Sequence, residues 1–275
     1  IVLKNNLLSY KTRFYKMKRK ILKNKPLVEA IFELRWKLED DKNAIGIKKD
    51  PHYKILVGRV YDNVKGNYPY YSQLPTAHMP DEIAGYVVQH QFRKAKDKWP
   101  LIQLGPGIIT LNSTNDYVWE NFEKNMLDLL DVLFKSYPES HKNLKVEGLT
   151  LRYINAIDFD FKKDNVFDFL KEKMKVNIIL NKKLFDKTGV DSLPLNLDLR
   201  FSFLSSKPQG AILLRLFNGT RDGRNSLLWE TQIQSIGENI LADQNAIISW
   251  ANESHLLVDD WFFKIIAGDL LRRFE

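Results

Sequence analysis

The chain has no cysteine. That excludes disulfides, thiolate nucleophiles and any zinc site built on thiolates. No apolar run reaches the roughly 18 residues a membrane span needs, so no membrane partner is expected. The N-terminus lacks an apolar stretch before a small-residue cleavage site, which sets a cytoplasmic location as the expectation. Phosphate-cradling loops are missing: there is no G-x-x-x-x-G-K-[ST] and no G-x-G-x-x-G. No G-x-S-x-G elbow offers a serine nucleophile. The five histidines, His52, His78, His90, His141 and His255, are scattered without H-x-H, H-x-x-x-H or H-E-x-x-H spacing. Neither a metal site nor a cofactor is expected.

Acidic residues are absent from the first 25 positions, which hold seven Lys and two Arg. The net charge of +8 is therefore a property of one end, and residues 26–275 carry −1. A basic arm over residues 1–25 is expected, with Lys18, Arg19, Lys20, Lys23 and Lys25 as its candidate contacts to nucleic acid. The first methionine, Met17, is the expected natural start.

What remains is an average composition, 44% hydrophobic and 28% charged, enough for a sizeable core. Residues 26–36 alternate, with Val28, Ala30, Phe32, Leu34 and Trp36 on one face and Glu29, Glu33 and Arg35 on the other, as in a half-buried strand. A short helix is expected over 51–64, loop over 65–80, and a three-strand meander over 88–112 with a tight turn at Gly105-Pro106-Gly107. Ser113 to Asp116 reads as N-cap chemistry for an amphipathic helix running from Tyr117 to Tyr137, where Pro138 stops it. The second half repeats the order: a strand over 146–161, a short helix over 164–174, strands over 196–203, 211–217 and 227–233, and helices over 238–251 and 255–275. Residues 218–226 read as a long hairpin loop. The fold class expected is α+β, two-layered, with largely antiparallel sheet and helices on one face. An N-terminal half, 26–140, and a C-terminal half, 141–275, share an order that a duplication would leave.

Four segments carry a resemblance: KPLVEAIFELRW, Tyr117-x-Trp119, LRYINAIDF (151–159), and a closing helix with His255, Trp261-Phe262 and a final LLRRFE. In order and spacing they resemble the TIGR04255 family, sporadically distributed in bacteria and archaea. The resemblance covers about residues 24–275. It implies one compact unit of this length and brings no activity or catalytic set.

Candidate binding residues follow from parity. Asn155 falls on the apolar face of its strand, where its amide either ties down a bulge or neighbouring backbone or faces a pocket. Arg152 and Arg200 lie on polar strand faces and offer cations to a partner, although Glu29, Glu33, Asp158 and Asp198 share that face as salt-bridge partners. Arg221 and Arg224, with Gly219 and Gly223, lie in the expected hairpin loop, which could clasp a phosphate. Glu29 and Glu33 sit roughly 13 Å apart along a strand, too far for a glycosidase pair. Three readings stay open. The first is a non-enzymatic interaction protein in an accessory or defence context, with a protein partner or a second copy docking on the open sheet face. The others are a small-molecule sensor or enzyme with a pocket between the halves, and a nucleic-acid binder through the arm.

Overall fold

A computed structural model describes residues 22–41, 46–80, 82–114, 116–235 and 243–275. Lys18, Arg19 and Lys20 of the arm and Asn115 of the expected cap lie outside them. Eleven strands and six α-helices are formed by the described residues.

The N-terminal half contributes β1 (Leu27–Trp36), a small hairpin β2 (Glu39–Asp40) and β3 (Lys48–Lys49), helix α1 (Tyr53–Val64), and edge strand β4 (Tyr70–Gln73). Strands β5 (His90–Arg93), β6 (Leu101–Gly105) and β7 (Ile108–Ser113) lead to helix α2 (Trp119–Ser136). A single turn α3 (Ser140–Asn143) then precedes the C-terminal half. That half contributes β8 (Val146–Asp158), α4 (Val166–Lys173), β9 (Asp198–Ser206), β10 (Gln209–Arg221), β11 (Arg224–Ser235), α5 (Gln244–Ile265) and the short α6 (Asp269–Arg272).

Nine strands form one antiparallel sheet in the order β4-β5-β6-β7-β1-β8-β11-β10-β9. The α+β class expected from sequence is the observed one. The two halves meet where β1 pairs with β8, and the meander of each half extends outward from that pair. Strand β1 is matched by β8, β7 by β11, β6 by β10 and β5 by β9, so the element order repeats around the central pair.

All the larger helices pack on one face of the sheet. The N-terminal core gathers Phe32, Leu34 and Trp36 of β1 with Leu56 and Val60 of α1, Met126 and Leu130 of α2, and Ile247 and Ala251 of α5. A second core gathers Ile157, Leu216 and Trp229 from the sheet with Leu170 of α4, Ile265 of α5 and Leu270 near the C-terminus. Helix α5, 22 residues long, spans both, and Trp261 packs against each. No helix among the described residues is long and apolar enough to cross a membrane.

Several expectations are corrected. Residues 218–226 are not a loop. Strands β10 and β11 run to Arg221 and Arg224, joined by the two-residue turn Asp222-Gly223. Both turn residues have positive φ, +50° and +76°, which the type I′ hairpin requires and Asp-Gly supplies at little cost. The stretch over 65–80 contains β4, and one continuous α5 replaces the two helices expected at the end, although 238–242 lie outside the described residues. The N-cap of α2 is Val118, which makes no side-chain capping bond. Of the arm's described residues, Leu22 is buried in the second core, and Asn24 N–H donates to Phe274 O at 3.0 Å.

Candidate functional site

The two cores do not meet flush. Between the sheet, the start of α2 and the middle of α5 lies a cavity of about 320 Å³, open on one side. That volume is at the lower end of small-molecule sites. Its walls are Leu22, Pro26, Leu27, Val258, Phe262 and Phe263, with Tyr117, Trp119, Tyr153 and His255 along one side.

The floor is made by local irregularity in β1. Leu27 pairs with Asn155 but Glu29 pairs with Ile154, so Val28 is an extra residue in a β-bulge opposite Asn155. The bulge that sequence parity allowed for is present. The Asn155 amide, however, does not bind it: Asn155 is 3% exposed, faces the cavity, and its side chain makes no hydrogen bond to a described residue. On the neighbouring strand β11, Thr231 sits across from Tyr153. It is 1% exposed, lines the same cavity, and its hydroxyl likewise bonds no described residue. Neither side chain has a polar atom among those sealed from solvent without a partner, so the amide and the hydroxyl open onto the cavity.

The side wall is the opposite case, fully knitted together. Tyr117 Oη and Tyr153 Oη are 2.7 Å apart, and Tyr153 Oη is 3.0 Å from His255 Nδ1. The His255 ring lies flat on Trp119, centroids 4.0 Å apart and planes within 8°. Trp119 Nε1 donates to Asn252 Oδ1 at 3.3 Å, and Asn252 Nδ2 donates to Glu123 Oε1 at 2.6 Å. Lys25 Nζ donates to Tyr117 O at 2.6 Å, fixing the approach to α2. A rigid aromatic wall thus stands beside a floor with hydrogen-bonding capacity to spare.

Asn155 and Arg152 do not share a site. Three residues apart on β8, they point to opposite faces, Asn155 under the helices and Arg152 onto the open face. There Arg152 Nε is 3.5 Å from Glu230 Oε1. Arg200 and Arg215 both grip Asp198: Arg200 Nη2 donates to Oδ2 at 3.0 Å and Arg215 Nε to Oδ1 at 2.8 Å. The Arg215 hydrogen bond first, and then that of Arg200, hold the Asp198 carboxyl far below the usual carboxylate range. Arg224 Nη1 donates to Asp158 Oδ2 at 3.0 Å, while Arg221 lies 3.7 Å from Asp222 and donates to Ala156 O at 3.5 Å. Arg221 and Arg224 flank a two-residue turn, not the long loop that could have clasped a phosphate. Glu33 is taken by Arg35 at 2.7 Å, and Glu29 accepts from Asn112 Nδ2 at 2.9 Å.

A second, larger groove of about 920 Å³ runs between α2 and the β5–β6 connection, past Trp99, Asn121, Asn125 and Asp128. Asn121 is exposed and Asn125 half-buried. Among the described residues no three His, Asp or Glu side chains gather so as to hold a metal ion. Sequence reasoning named Asn155 and singled out Tyr117, Trp119, His255 and Phe262 through the resemblance. It missed Thr231, Val258 and Phe263, for which only helix and strand periodicity offered a signal. No family model, curated protein or solved structure matches the chain.

Proposed function

We propose that this protein binds a small, mostly apolar molecule in the cavity between the two halves, in the cytoplasm, and that the bound molecule supplies partners to Asn155 and Thr231. The buried, unpartnered amide and hydroxyl on an otherwise apolar floor carry this reading. An apolar pocket with a few convergent polar groups is the usual form of a small-molecule site. The resemblance adds support, since all four of its segments meet here: Lys25, Pro26 and Leu27 from the first, Tyr117 and Trp119 from the second, Tyr153 and Asn155 from the third, His255 and Phe262 from the last. Membership of that family is proposed with it.

Fluorescence of the neutral probe N-phenyl-1-naphthylamine tests the reading. The wild-type chain should enhance it saturably at one site, and Val258→Phe, which fills the cavity, should weaken binding at least tenfold. No enhancement, or binding indifferent to a folded Val258→Phe protein, counts against it.

A second reading, association of two copies along β9, is favoured by one observation. Strand β9 has no outer neighbour among the described residues, and it exposes Phe203 and Leu204 (49% and 89%) beside Leu195 (86%). Phe201–Ser206 holds no charge and no proline, and β9 pairs with β10 without a bulge, so the usual protections of a free edge are missing. Sedimentation should show dimer at high concentration that Leu204→Lys abolishes; a monomer at every concentration removes this reading.

A further inference from the structure

The larger groove, about 920 Å³ between α2 and the β5–β6 connection, is a separate place from the cavity proposed above, and its lining differs in kind. An aromatic ring stands in it. Trp99 lines the groove and is 39% exposed, and the Arg93 guanidinium lies over its ring, 4.9 Å from the centroid. Arg93 is itself held, donating to Gln91 Oε1 and to Lys98 O, so the ring is braced.

Helix α2 supplies a polar row. Asn121, Asn125 and Asp128 lie at i, i+4 and i+7, so they share one face of the helix over roughly 10 Å. No side chain of the three makes a hydrogen bond or ion pair with a described residue. Tyr68, packed in the N-terminal core just beyond α1, adds a hydroxyl. It is 8% exposed, yet its Oη bonds no described residue and is not among the atoms sealed from solvent, so it opens onto the groove. Burial, and then the Asp128 carboxylate, push its pKa up to about 12, which keeps the proton on the hydroxyl as a donor.

Charge separates the ligand classes. Three lysines line the groove, Lys94, Lys98 and Lys124, and three aspartates, Asp97, Asp116 and Asp128. A nucleic-acid strand needs an excess of positive charge beside its stacking ring, and among the described residues the lining has none. A wholly apolar ligand would leave the amides of the row without partners. A ligand with an apolar face for Trp99 and neutral hydroxyls for the row suits both, because a hydroxyl donates and accepts, as a planar amide does.

We infer that this groove binds a neutral oligosaccharide. One sugar ring lies against Trp99, and hydroxyls of the chain meet Asn121, Asn125, Asp128 and Tyr68.

Isothermal titration of the full chain with maltotriose, cellotriose and triacetylchitotriose tests it, with hexathymidylate beside them. At least one trisaccharide should bind saturably at one site, and hexathymidylate should not. Trp99→Ala should weaken that binding roughly tenfold or more. Should that variant not fold, Asn125→Ala, which places a better helix former in α2, should weaken it severalfold. Val258→Phe, which fills the other cavity, should leave it unchanged. Binding of none of the three sugars overturns the inference, as does hexathymidylate binding more tightly than any of them. Sugar binding that Trp99→Ala and Asn125→Ala leave intact, or that a folded Val258→Phe protein loses, places it elsewhere and overturns the inference as well.

Discussion

His90 shows what a single buried ring contributes. Burial lowers its pKa from the ordinary imidazole value. The ring stacks on Tyr71 with planes within 16°, and Tyr71 Oη lies 2.9 Å from its Nδ1. The folded protein therefore binds fewer protons here than the unfolded chain does. The contribution to stability is complete above the unfolded pKa, near 6.5, and is lost as pH falls from there through the lowered folded value. Urea unfolding followed from pH 7 to pH 5 should show stability falling, and His90→Gln should flatten that acid limb; an unchanged slope would assign it to other groups. Strand parity made Asn155, Arg152 and Arg200 legible as residues of interest and put each on its correct face. The pairing of Arg200 with Asp198 was equally legible, whereas the partner of Arg152 is Glu230, a carboxylate not singled out in the sequence. That Asn155 would lack a partner was not legible, since it depends on which side chains α2 and α5 bring above it. Arg215, the stronger holder of Asp198, stood in a strand whose other residues are mostly apolar and drew no notice.

At the scale of elements, alternation and helical periodicity located the long pieces, and local chemistry misled at their ends. The run Asn218–Ser226 is rich in loop residues, yet Asp222-Gly223 alone makes the turn while the rest pairs as strand. Gly223→Ala should therefore cost about 1–2 kcal/mol in urea unfolding, because an alanine resists the +76° φ that the turn requires. Little or no loss would show that the turn tolerates another geometry. Strand β4 escaped notice because four residues, Tyr-Tyr-Ser-Gln, are too few for a pattern. Helix α2 was placed correctly, but Ser113–Asp116 attracted the cap that Val118 occupies. A helix without a side-chain cap departs from the sequence preference, and α1, α3 and α6 depart from it as well. The bulge at Val28 is a departure beside the cavity, since Leu27 and Asn155, paired at its edge, line it.

For the whole molecule, the repeated order of elements was legible, and the way the halves join was not. Pairing β1 with β8 creates one continuous sheet but two cores, and the cavity lies at their seam. Neither half alone encloses it: Leu27 and Trp119 come from one, Tyr153, Thr231 and His255 from the other. The net charge says little at this scale, since the basic residues are concentrated in the first 25 positions and residues 26–275 carry −1. The central claim is that Asn155 and Thr231 are kept for a ligand rather than for the fold. It is tested most directly by the unfolding free energy of the ligand-free double variant Asn155→Leu/Thr231→Val beside the wild type. With no described protein partner lost and two buried polar groups removed, the variant should be as stable as the wild type or more so. A loss of about 1–3 kcal/mol, the cost of breaking a buried hydrogen bond, would show that the amide and hydroxyl hold the structure together and would contradict the account.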